Sequence, residues 1–173
     1  MVRQFRTGVL IAFAATAVAR AETIERVLAV VAGQIIMMSD VAAARDLRLE
    51  TIDAASGAAD PIRAVLSKLI DRQLILAEVE RYAPPEPAAD AVENELAKVR
   101  ARFATAEEIE AVLSRSGIDE NQLRDILRQN LRIRAYMDQR FAAAGDRRQE
   151  LVDQWVAALH RRADVIDLYL AGR

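Results

Sequence analysis

Cysteine is absent from this 173-residue chain and histidine occurs once. The missing cysteine excludes disulfides, thiolate nucleophiles and cysteine zinc sites, and it is compatible with an oxidising compartment. Metal sites want His, Cys or clustered carboxylates at defined spacing, and only His160 is on offer, so no metal or cofactor is expected. The six glycines are scattered, leaving no glycine-rich phosphate loop, and no G-x-S-x-G nucleophile elbow occurs. A basic surplus is missing too: 24 Lys and Arg stand against 26 Asp and Glu, a net charge of -2. Nucleic-acid binding rests on neutralising phosphates with a basic surface, so this balance argues against it.

What is present begins with an address. Arg3 and Arg6 precede an apolar run over residues 8–15, and Ala19-Arg20-Ala21 follows Thr16. A basic start, a short apolar middle and an A-x-A exit describe a secretory signal peptide over residues 1–21, cleaved after Ala21. The apolar stretch 9–18 would cover about 15 Å as a helix, half of a hydrocarbon layer, so an uncleaved anchor is the weaker reading. Removing residues 1–21 takes away Arg3, Arg6 and Arg20 and no acid, so the mature chain is more acidic than the precursor. Some 150 residues remain, residues 22–173, enough for one domain with a real core.

That domain should be mainly α, with about six helices and a small antiparallel sheet. Residues 24–41 alternate apolar side chains on both faces, turn at Ala32-Gly33 and lead into a helix that Ser39 is placed to cap. Helices are expected over residues 40–52; from Asp60-Pro61 to about Tyr82, the most apolar; through the row Val92, Leu96, Val99 and Phe103; after a Thr105/Glu108 capping box up to Gly117; and from the Asp119/Gln122 box to about Phe141. A C-terminal helix (146–163) and strand (164–170) follow, and the strand should return to pair with residues 24–31.

Few polar groups suggest chemistry. His160 reads as a surface histidine on a basic helix end, the acidic pairs Glu107-Glu108 and Glu93/Glu95 as helix-start carboxylates, and Arg124, Arg128 and Arg132 as a solvated ridge. Asn130 and Arg134 project into an apolar helix face, where each needs a partner or an open groove. No enzymatic constellation emerges.

Four segments carry a family likeness. They are Ala29-Val-Val-Ala-Gly-Gln-Ile-Ile-Met-Met-Ser-Asp-Val41, Val65-Leu-Ser-Lys-Leu-Ile-Asp-Arg-Gln-Leu-Ile-Leu76, the turn from Leu113 through Gly117 to Leu127, and Gln154-Trp155 with Ala163-Asp-Val-Ile-Asp-Leu168. In this order they resemble the SurA-like periplasmic chaperones, and they span nearly all of the mature chain. Larger members carry parvulin isomerase domains where this chain has only a connector around Gly145. The resemblance therefore implies a periplasmic, ATP-independent holdase for unfolded polypeptides, typically outer-membrane protein precursors, without isomerase activity. The alternative is a non-catalytic envelope adaptor that docks a fixed partner such as a separate isomerase. Met37, Met38, Tyr136, Met137 and Phe141 are the candidate lining of a peptide-binding groove, because methionine and aromatic side chains adapt to varied apolar partners. N-terminal sequencing of the exported protein should begin at Glu22; a retained Met1 would instead support an anchor.

Overall fold

A computed structural model describes residues 25–52 and 59–169. The leader and its cleavage site at Ala21, Ile24, most of the expected loop around Gly57, and Leu170 lie outside the described residues. Among the described residues the chain forms six α-helices and one three-stranded antiparallel sheet, as expected.

Strand β1 (Val27–Val31) lies between β2 (Gln34–Met37) and β3 (Val165–Asp167). Ala32 and Gly33 both take positive φ, 50° and 81°, the geometry of a two-residue hairpin that matches strand twist. The alanine bears a steric cost of about 1–2 kcal/mol that the glycine escapes. The C-terminal strand does return to the first: Ala29 faces Asp167, Val30 faces Ile166 and Val31 faces Val165. The Leu168 amide extends the pairing by donating to the Leu28 carbonyl at 2.9 Å, and the Ala32 amide reaches the Asp164 carbonyl at 3.2 Å. Side chains pin the same tail to the start of the longest helix. Asp167 pairs with Arg63, and the Tyr169 hydroxyl donates to the Asp60 carboxylate at 3.0 Å.

Helix α1 (Met38–Asp46) departs from expectation at both ends. Ser39 is not its cap. The strand runs on to Met37, so Ser39 falls inside the first turn and its hydroxyl donates to Glu25. Asp40 does the capping, accepting from the Met37 amide at 2.7 Å. The helix stops at Asp46 rather than near Ile52 because Arg48 turns left-handed (φ 54°) and the Leu49 amide closes back on the Ala44 carbonyl. Arg102 then donates to the carbonyls of Leu47 and Arg48 at 2.9 and 2.6 Å, a cation at the negative helix end.

Helix α2 (Pro61–Tyr82) starts as expected, with Asp60 accepting from the Arg63 amide at 3.0 Å and Pro61 in the first helical position. Helices α3 (Ala89–Arg100), α4 (Ala106–Ser116) and α5 (Glu120–Arg140) follow. The Asp119/Gln122 capping box is complete, at 2.8 and 2.7 Å. The Thr105/Glu108 pair is half of one: Thr105 accepts from the Glu108 amide, but Glu108 reaches the Ala104 amide instead of that of Thr105. A short 3-10 turn at Gly145–Arg147 leads to α6 (Arg148–Arg162).

Two cores result. One gathers Leu28, Ala29, Val31, Ile36, Leu66, Ile70 and Leu159 around the sheet and α2; the other gathers Val92, Leu96, Val112, Leu123 and Leu127 among α3, α4 and α5. Helix α1 joins them, with Val41 and Ala44 in the first and Ala43 and Leu47 in the second. Leu28→Ala should cost about 2–5 kcal/mol in urea unfolding, whereas Ile35→Ala, at an exposed position of β2, should stay within about 0.5 kcal/mol. Equal losses would refute the assignment of sheet faces.

Candidate functional site

Three helices leave a gap between them. Lys68, Asp71, Arg72 and Ile75 recur at helical spacing along one side of α2, and Gln149, Val152, Asp153, Val156 and His160 do so along α6. Asn130, Ile133 and Arg134 of α5 complete the walls of an open groove of about 630 Å³, with Leu49 and Glu50 at one end. Its floor is apolar, built from Ile75, Ile133, Val152 and Val156, and its rim is charged with both signs.

The groove exists because α6 is held at its edges. Leu159 is its buried residue, packed into the sheet core. Trp155 leans on an aromatic group with Tyr136 at 6.0 Å and Phe141 at 5.7 Å between ring centroids. Arg140 lies 5.0 Å from the Trp155 ring centre, within cation–π range. Val152 and Val156, both half-buried, line the gap across from α2 and α5.

Polar contacts set the width of the gap. The Arg72 guanidinium donates to Asn130 and Gln129 of α5, both at 2.8 Å, and so clamps α2 to α5. Asp71 meets the His160 ring at 2.6 Å and ties α2 to α6. Burial lowers the affinity of Arg72 for its proton, while the nearby charges of Glu50 and Asp40 oppose that shift. Burial likewise holds the Glu50 carboxyl above its ordinary range, with Arg72 and Lys68 pulling it back and Asp71 adding to the rise. Asp40 is raised for the same reason, against the pull of the Met37 amide it caps.

The five nominated lining residues do not line this groove. Tyr136 is a correction: it is only 6% exposed, its ring held between those of Tyr82 and Trp155, so its face is spent on internal packing. Met137 packs in the same cluster, and Phe141 stacks edge-on against Trp155. Met37 and Met38 lie elsewhere, where β2 meets α1, and Met38 packs on the sheet core. All but Tyr136 are half-buried.

The other expectations resolve individually. Asn130 has its partner in Arg72, and Arg134 points to the groove rim, 3.4 Å from Glu95. The arginine ridge is paired throughout, Arg124 with Glu93 and Glu120, Arg128 with Asp125 and Arg132 with Glu86. His160 is on the surface as expected, but it is paired with Asp71 rather than solvated alone. Sequence reasoning passed over the apolar floor (Ile75, Ile133, Val152 and Val156) and, among the charged groups, Asp71, Arg72 and Glu50. The signal was there for Asp71 and Arg72: Leu69-Ile-Asp-Arg72 sets adjacent opposite charges inside the most apolar helix.

Among the described residues no three His, Asp or Glu side chains gather to hold a metal ion, and no helix is long and apolar enough to cross a membrane. Searched against protein-family models and curated proteins, the chain matches none. The groove thus joins an apolar floor to a charged rim.

A pH experiment reports on the groove. With its carboxyl raised in the folded state, Glu50 favours folding below the ordinary glutamate range, and that contribution is lost as pH climbs through the raised value. Glu50→Gln should therefore melt above the parent protein at pH 7–8, with the difference vanishing near pH 3. A difference constant across that range would show that Glu50 is not desolvated.

Proposed function

We propose that this chain is an exported, nucleotide-independent holdase that shelters apolar segments of unfolded polypeptide, outer-membrane precursors among them, and has no isomerase activity of its own. The observation that carries the reading is the open groove between α2, α5 and α6, with Ile75, Ile133, Val152 and Val156 as an apolar floor beneath a charged rim. A groove of this kind gains free energy from whatever apolar area it covers, about 25 cal/mol per Å², and needs no sequence code. The resemblance of the opening hairpin, the second helix and the C-terminal helix and strand to SurA-like chaperones points the same way.

Release needs no fuel if each contact is weak. A few half-buried aliphatic side chains give modest affinity per segment, so a client leaves when its own folding buries those segments better. The test is light scattering of an unfolded membrane-barrel protein diluted from urea without nucleotide. The chain should suppress aggregation near stoichiometric ratio, and Val152→Asp with Val156→Asp should weaken that suppression severalfold. Absence of suppression at several-fold molar excess of the parent protein would overturn the proposal.

A further inference from the structure

We infer that the outward face of the three-stranded sheet is a second docking surface, one that takes a short extended apolar segment of unfolded polypeptide. The inference deepens the holdase reading and rests on it.

Register fixes which side chains share that face. Val30 is directly opposite Ile35 of β2 and Ile166 of β3, so the three β-branched side chains form one row across the sheet. Ile35 is 56% and Ile166 48% exposed, while their neighbours Ala29, Val31 and Ile36 are buried beneath the sheet. Val27 and Leu168 add to the exposed apolar surface toward the other end of the strands. Four of the five large apolar side chains that stand exposed among the described residues thus belong to this one small sheet, Tyr82 being the other. Polar residues are the usual choice on a solvated sheet face, so the row calls for an occupant.

The size of the face selects the occupant. Three strands at about 4.8 Å spacing and four residues at about 3.3 Å rise make roughly 200 Å². A stable interface with a folded partner or a second copy buries about 800 Å² on each side, which this face cannot supply. A single extended segment of four or five residues, presenting every second side chain, fits its dimensions.

Because the protein has no cysteine, a single introduced one reports its own position. Ile166→Cys carrying a benzophenone label should crosslink to a short peptide that alternates valine and serine between terminal lysines. Ile35→Lys should weaken binding of that peptide about tenfold, and the milder Ile166→Thr should act in the same direction, both with unchanged circular dichroism. A peptide that crosslinks from Val156→Cys in the groove but not from position 166 overturns the inference and leaves the holdase reading intact. Crosslinks from position 166 to a second copy or to a folded partner overturn it as well. Peptide capture at 166 without suppression of aggregation would retain the sheet surface and sink the holdase reading.

Discussion

The structure depends on β1 having a neighbour on each side. Leu28, Ala29 and Val31 are sealed from solvent, and a strand this apolar is unstable unless its backbone groups are paired along both edges. Strand β2 comes from the adjacent hairpin, while β3 comes from the far end of the chain. The helices between them are therefore enclosed by a closed circuit. The position of α6, which is the third wall of the groove, follows from where β3 must land. Arg63 with Asp167 and Asp60 with Tyr169 reinforce that landing at the start of α2.

Helix α2 is the second organising element, and it works through charge as well as through burial. Asp71 and Arg72 are adjacent, so they point about 100° apart and reach different helices: His160 on α6 and Asn130 with Gln129 on α5. Burying a guanidinium is costly, and hydrogen bonds to a charged group offset this by about 1.5–3 kcal/mol each. The carboxylates of Glu50 and Asp40 supply the counter-charge without contacting it directly. These bonds tie α2 to both of the other walls of the groove.

Much of the fold was legible in the residues. Caps at Asp60 and Asp119, the glycines at 33 and 117, and the apolar rows of α2 and α3 act locally, so their pattern is written within a few neighbouring positions. The stop of α1 was not, because it rests on a left-handed Arg48, a conformation that its residue type does not announce, and the turned end is then held by Arg102 from far along the chain. The groove was legible only in part. Asn130 and Arg134 lie along the groove, whereas the methionine and aromatic side chains nominated from composition lie elsewhere on the fold. Tyr136 and Phe141 look adaptable in composition, yet their rings are already engaged by Trp155 and Arg140. Composition reports what a side chain can touch; which neighbour takes it is decided by packing between helices.

The ladder between Val30 and Ile166 also has a kinetic meaning. Nearly the whole domain separates the two partners, so their contact carries a large loop-closure entropy and a high contact order. The hairpin, the capped helices and the α3–α5 core can form from near neighbours, but one edge of β1 has no mate until the last residues arrive. Folding therefore passes late through a state in which that edge is unprotected. For that interval β1 presents an open strand edge, the kind that pairs with other chains.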